Sequence, residues 1–213
     1  MTRFPAKLED KHTRQGNQRG KLVDASVCLD VPASLIAETI SKWKPLWDAG
    51  LERRKTLGLP RLENEHWDWL AKAGWLSLAA YRSLGVECEG VMQGLMLVVT
   101  DGYYARTEPD TGKPLVYVDY VQTAPWNDEN LVDHPRFGAV GTHLLDGAVK
   151  LSVDLEYAGR IGLHSLNRSE GFYRRLGLTA VEVEQRDRHA RGLWYFELTR
   201  QSADQFLQAR RTS

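Results

Sequence analysis

The 213-residue chain is the length of one domain with room for a small appendage. With 42% apolar and 26% charged residues it can bury a core and is not disordered in bulk. Acidic and basic side chains balance at 28 each, which gives no reason to expect a nucleic-acid or a membrane partner.

Residues 1–20 are polar and mildly basic (Arg3, Lys7, Lys11, Arg14, Arg19) and are expected to form a flexible N-terminal arm. The segment has no apolar core of the kind a secretory signal carries, and no apolar run nears the roughly 18 residues of a membrane span. Cys28 and Cys88 form neither a metal spacing nor a disulfide framework, which suits a reducing, cytoplasmic setting. From residue 21 a single domain is expected to run to residue 213. LVDASVCLDV alternates, with Val23, Ala25, Val27 and Leu29 on one face, and reads as a strand. Pro32 then opens a helix carrying Ile36, Ile40, Trp43 and Trp47 at helical spacing. Pro45 is expected to kink or split it, with a second helical stretch to about Leu57 and a stop at Gly58 and Pro60. Residues 63–83 suit an aromatic-rich helix. GVECEG and VMQGLMLVV read as paired strands around a Glu89-Gly90 turn. A loop follows, then the strand LVYVDYVQTA and a turn-rich connection, residues 126–135. Helical periodicity returns over 140–157 and ends at Gly159. RIGLHSL is a strand, RSEGFYRRLG a short helix, and TAVEVEQ and GLWYFELT are strands around the charged turn RDRHAR, before a last short helix. The order is that of an α/β (α+β) protein with a mixed sheet.

The segment Arg136-Phe137-Gly138-Ala139-Val140-Gly141-Thr142 follows an apolar strand and opens an amphipathic helix. Flexible backbone there lets several N–H groups converge, and the helix dipole adds positive potential, so the segment suits an anion such as a pyrophosphate. A loose turn before a helix would share part of this pattern. The segment lacks the Gly-Lys-Ser/Thr ending of a Walker loop and the glycine spacing of a dinucleotide site. Ala139 and Val140 do not suit the KH-type RNA loop that the Gly138–Gly141 spacing mimics.

This segment resembles the coenzyme loop of the GNAT N-acetyltransferases, Arg/Gln-x-x-Gly/Ala-x-Gly/Ala, with Arg136, Ala139 and Gly141 in the matching positions. A second GNAT-like pattern follows in the right order: Asn167 after the next strand, then Phe172-Tyr173 and Gly177-Leu178. The resemblance covers residues 86–200 well and residues 1–85 loosely, and 126–135 stands as an insertion before the loop. It implies a mostly antiparallel sheet of six to seven strands flanked by helices, with two parallel strands that splay apart. It also implies acetyl-CoA as co-substrate without a metal, and direct transfer of the acyl group to an amine acceptor that the sequence does not name. The same fold without turnover would be an acyl-CoA-binding sensor or interaction module. Phe137, Gly138, Ala139, Val140, Gly141 and Thr142, behind Arg136, would hold the pyrophosphate. Val121 and Thr123 on the open strand edge would bond the pantetheine arm, as would Asn167, with Phe172 packed beneath it. Tyr173 takes the place of the acid that protonates the departing thiolate. Family members often form homodimers, for which the C-terminal strands are a plausible seam.

Asp119 lies in an apolar strand, where a carboxylate must be solvated, paired or functional, and is the candidate base. His134 is a weaker candidate, while His143 reads as a surface or packing residue and His164 as a buried, satisfied one. The six histidines show no zinc spacing, and no Gly-x-Ser-x-Gly elbow supports hydrolysis at Ser165. Of Trp43, Trp47, Trp67, Trp69, Trp75 and Trp126, most suit core packing and some could frame an acceptor pocket. Trp126, in the insertion, is the one placed to touch a ligand or partner.

Overall fold

A computed structural model of the chain describes residues 1–16, 18–181 and 192–211, the last three by their backbone alone. The expected turn RDRHAR and most of the strand before it lie outside the described residues. So do residues 212 and 213. The chain divides into two compact units, one built from Met1–Met96 and Val121–Leu144 and the other from Leu97–Tyr120 and Leu145–Ser213. Among the described residues nine strands hydrogen-bond in the spatial order Phe137–Gly138 (β6), Thr2–Asp10 (β1), Lys21–Leu29 (β2), Tyr81–Cys88 (β3), Val91–Val99 (β4), Val116–Thr123 (β5), Ile161–Ser165 (β7), Trp194–Leu198 (β9) and Thr179–Ala180 (β8), with β5 and β7 parallel.

In the first unit, residues 1–20 depart from the expected flexible arm. Thr2–Asp10 is strand β1, paired antiparallel along its whole length with β2, Lys21–Leu29. Phe4, Ala6 and Leu8 alternate inward, and Leu8 is fully buried. Pro5 masks this pattern in the sequence. It is tolerated because, among the described residues, β1 pairs on its outer side only at Glu9 and Asp10, and no described strand lies on the edge beside Pro5. Helix α1, Ala33–Thr56, begins after Pro32 and runs through Pro45 as one element, so the expected split does not occur. Pro45 and its neighbours Lys44 and Leu46 are exposed, so water can take the carbonyl that the proline leaves without a donor. The opposite face of the helix buries Ile36, Thr39, Trp43 and Gly50.

The helix expected over 63–83 shrinks to α2, Trp69–Ala73, and a 3-10 turn over Gly74–Ser77. Its start is set by the Asp68 carboxylate, which accepts from the Ala71 amide at 2.9 Å. Strand β3, Tyr81–Cys88, has already begun where the helix was expected to end. It meets β4, Val91–Val99, at a two-residue turn in which Glu89 (φ 54°) and Gly90 (φ 75°) are both left-handed, the geometry a tight hairpin needs. β4 is buried from Met92 to Val99, as a central strand should be.

Strand β5, Val116–Thr123, begins in the second unit and ends in the first. The insertion 126–135 is well anchored in the first unit. Asn127 Nδ2 donates to Gln93 Oε1 at 3.0 Å, as does Trp126 Nε1 at 2.8 Å, and the Arg54 guanidinium reaches the Asn130 carbonyl at 3.0 Å. Gly50 of α1 leaves room for Leu131, which would lie 2.9 Å from a Cβ at that position. Phe137–Gly138 then forms the two-residue strand β6, antiparallel to Glu9–Asp10 of β1. β1 and β6 are the strands beyond the expected six or seven.

Helix α3, Val140–Asp154, follows β6 and carries the chain into the second unit. There β7, Ile161–Ser165, pairs antiparallel with β9, Trp194–Leu198, and β9 with the two-residue β8, Thr179–Ala180. Helix α4, Glu170–Arg175, and the C-terminal helix α5, Arg200–Arg211, complete it. Among the described residues no helix is long and apolar enough to cross a membrane.

Candidate functional site

In the first unit the focus is the start of α3. Within the helix the first bond runs from the His143 amide to the Ala139 carbonyl at 3.0 Å. Helix geometry therefore leaves the amides of Val140, Gly141 and Thr142 without an intrahelical partner. Ala139 is exposed and left-handed (φ 67°), a conformation that favours glycine and turns the chain sharply into the helix. Val140 is buried, and Gly141 and Thr142 are half-buried in the first turn. Gly94 of β4 gives the helix its seat, since a Cβ there would come within 2.7 Å of Val140 Cγ1 and 3.0 Å of Leu144 Cδ1.

Arg136 does not extend freely from the loop. Its guanidinium binds Glu89 at 2.7 Å and lies over the buried Phe137 ring, 4.5 Å from the centroid. The loop leans on β1 and the turn after it. Lys11 N donates to the Arg136 carbonyl at 2.7 Å, and His12 Nε2 and His143 Nε2 lie 3.0 and 2.9 Å from the carbonyls of His134 and Lys7. His143 is thus a packing residue. His134 keeps an exposed side chain, and its carbonyl holds the turn. Trp126 is half-buried, hydrogen-bonded to Gln93 and edge-on to Trp43 at 6.4 Å. Val121 and Thr123 are half-buried at the end of β5, and Gln122 between them accepts from Trp69 Nε1 at 2.6 Å.

In the second unit the parallel ladder between β5 and β7 has three register pairs: Val116 with Ile161, Tyr117 with Gly162, and Val118 with Leu163. Both strands run on beyond it, β5 to Thr123 and β7 to Ser165. The two strands stop pairing while each is still extended, as splayed strands do. Solved structures show the same architecture. The PaiA N-acetyltransferase of Thermoplasma acidophilum, in complex with coenzyme A, is 12% identical, with 80% of this chain and 97% of that one covered at a TM-score of 0.50. The GNAT fold is present.

PseH, an N-acetyltransferase of Campylobacter jejuni, is matched at 10% identity over 81% of this chain and 97% of that one, TM-score 0.48. A Chromobacterium violaceum protein described as a probable GNAT-family acetyltransferase is matched at 14% identity over 84% and 90%, TM-score 0.48. No family model and no curated protein matches the chain.

On this GNAT fold Asp119 is the first β5 residue past the ladder. It is half-buried, and its charge, after burial, helps push the Tyr103 phenol above its ordinary range. It shares a strand face with Tyr117, which stacks on Tyr103 at 4.1 Å. The Tyr117 hydroxyl is hydrogen-bonded to His164 Nδ1 at 2.8 Å. His164 is half-buried. The aromatic cluster beside Asp119 was not legible in the sequence, because Tyr103 comes from a loop and His164 from another strand. Asn167 is exposed in a 3-10 turn over Asn167–Ser169. Phe172 is half-buried and meets Tyr173 at 5.2 Å in α4. Tyr173 is buried and tilts against Phe196 of β9 at 6.0 Å, and burial pushes its phenol pKa well above the ordinary value of 10.

Proposed function

We propose that this protein is an acyl-CoA-dependent N-acyltransferase that moves an acetyl or similar group directly onto an amine. The observation that carries the reading is the three-pair β5–β7 ladder with both strands continuing past it. It leaves β5 with an edge able to accept an extended ligand as an added strand would be accepted.

The residues fit a diphosphate. The first-turn amides of α3 behind the left-handed Ala139 support that fit, since N–H groups without an intrahelical partner at a helix start attract anions. In this reading the amides of 138–142 hold the pyrophosphate; the Phe137 amide, expected among them, donates instead to Asn127 Oδ1 at 2.9 Å, and that bond and the Arg136 ion pair with Glu89 fix the loop. Val121 and Thr123 offer backbone groups to the pantetheine arm. Asn167 and Phe172 keep the contacts to that arm which the resemblance assigns them.

When bound, the coenzyme supplies an activated thioester. Asp119 receives a proton from the attacking ammonium, directly or through water, so that the amine is neutral when it reacts. Tyr173 Oη gives its proton to the leaving sulfur as the C–S bond breaks and regains one, through water, from the nitrogen that becomes the amide. A phenol above 10 is a weaker acid than an ordinary thiol of about 8.5. The burial that raises the phenol also disfavours a thiolate, so the two proton affinities move together and the transfer stays feasible.

The test is thiol release from acetyl-CoA in the presence of a broad panel of amines, with calorimetric titration of CoA alongside. Amine-dependent thiol release is the expected result. CoA binding without turnover on any amine would leave a coenzyme-binding sensor, and absence of CoA binding would overturn the reading.

A further inference from the structure

We infer that the β1–β2 hairpin forms a second phosphate subsite, which recognises the ribose 3′-phosphate of the coenzyme through Arg19 and Lys11. This rests on the coenzyme reading of the 136–142 loop.

The connection between β1 and β2 is a closed structure. The Thr13 hydroxyl donates to the Asp10 carbonyl at 2.7 Å and accepts from the Lys21 amide at 2.7 Å. A Cβ at Gly20 would fall 2.1 Å from the Asp10 carbonyl oxygen, so only glycine closes the hairpin this tightly. At its centre sits the Glu9 carboxylate, 8% exposed. It accepts from Arg14 Nε at 2.7 Å, Arg14 Nη2 at 3.0 Å and the Gly20 amide at 2.8 Å, and Arg19 Nε lies 3.9 Å away. A nearly buried carboxylate costs stability unless it is paired. Glu9 is paired, and the result is two guanidinium groups held beside one open cavity of about 540 Å³, lined by Glu9, Arg14, Gly16, Gln18 and Arg19.

That cavity adjoins the coenzyme loop. Glu9 is the register partner of Gly138. From the position of a Cβ on Gly138, Lys11 Cε is 3.2 Å away and Glu9 Oε2 is 3.4 Å away. The lysine stem therefore crosses the bare face of the loop glycine, with its ammonium beyond. The carboxylates here are already engaged: Glu9 as above, and Asp10 by the His12 amide at 3.0 Å. The hairpin thus presents Lys11 and Arg19 as cations, with Arg14 locked behind them. In the coenzyme, one ribose ring separates the 3′-phosphate from the diphosphate. A dianionic phosphomonoester is the chemistry that an arginine lining an open cavity and a lysine over the adjoining loop glycine select.

The test is calorimetric titration of the full chain with CoA and with 3′-dephospho-CoA, for the parent, Arg19→Ala and Lys11→Ala. Circular dichroism confirms that each variant is folded. The parent should bind CoA about tenfold or more tightly than the dephospho form. Arg19→Ala should remove most of that preference by weakening CoA alone. Lys11→Ala, between the two phosphates, should weaken both ligands and CoA more. Equal affinity of the parent for both, or an undiminished preference in Arg19→Ala, would overturn the subsite while leaving the coenzyme reading intact. If neither compound binds the parent, the coenzyme reading falls and the subsite with it.

Discussion

Ala139 keeps a left-handed backbone (φ 67°) that costs a residue with a Cβ roughly 1–2 kcal/mol. Glycine would relieve that cost and add unfolded-state entropy of about 0.5–1 kcal/mol. Ala139→Gly is therefore expected to raise Tm by a few degrees at most and to keep CoA affinity, whereas Ala139→Val should lower both; a valine variant with parental Tm would contradict the loop geometry. For Tyr173, the Phe variant keeps the buried ring and loses one oxygen. Its kcat should fall about 10²-fold or more, the usual scale for a missing general acid, with CoA affinity by calorimetry nearly unchanged. A parental turnover number would return Tyr173 to a packing role. Glu9 sets a pH dependence. Its hydrogen bonds from Arg14 first, then from the Gly20 amide, hold its pKa at about 2 against an ordinary 4.5, with burial opposing. A folded pKa below the unfolded one means stability that is present above about pH 4.5 and is lost as the pH falls towards 2. The Tm gap between parent and Glu9→Gln should be open at pH 7 and close across that window; a gap independent of pH would show that the carboxylate charge is not what holds the hairpin.

At the scale of elements, β1 is where sequence and structure part most usefully. Its inward residues are few (Phe4, Ala6, Leu8), Pro5 interrupts them, and five basic residues between 3 and 19 give the segment the look of a solvated tail. What makes it a strand is the nine-pair ladder with β2, a long-range pairing that no local pattern records. Deleting residues 1–20 should therefore lower Tm by more than about 5 °C, since 1 kcal/mol is worth roughly 2–4 °C in a chain of this size and the burial of Leu8 alone is worth about 1.5–3 kcal/mol. A melting temperature unchanged within error would restore the picture of a free arm. The same limit explains the shortened α2. Helical spacing over 63–83 is real in the letters, but the Asp68 cap and the claim of β3 on Tyr81–Ser83 decide the boundaries, and both depend on tertiary context. Pro45 shows the reverse, a local breaker that an exposed helix face tolerates. Where local chemistry is decisive, as in the Glu89-Gly90 hairpin turn and the helix start behind Arg136–Ala139, the sequence suffices.

For the whole molecule, the succession of strands and helices from β2 to α4, the two-residue β6 apart, was legible because each of the longer strands carries its own apolar run and most turns carry a glycine or proline. The loop and the Asn167–Tyr173 segment were legible as motifs. The ends of the parallel ladder, the cluster around Asp119 and the closure of the hairpin on Gly138 were not, since each joins residues far apart in the chain. The central claim is that a CoA thioester binds with its pyrophosphate on the amides of 138–142 and its pantetheine arm along the open edge of β5. Amide-resolved NMR of the labelled chain during a CoA titration tests both parts at once. The account predicts saturable shifts that are largest at residues 138–142 and 119–123. Saturating CoA that leaves those amides in place, or that moves only amides elsewhere, would contradict it.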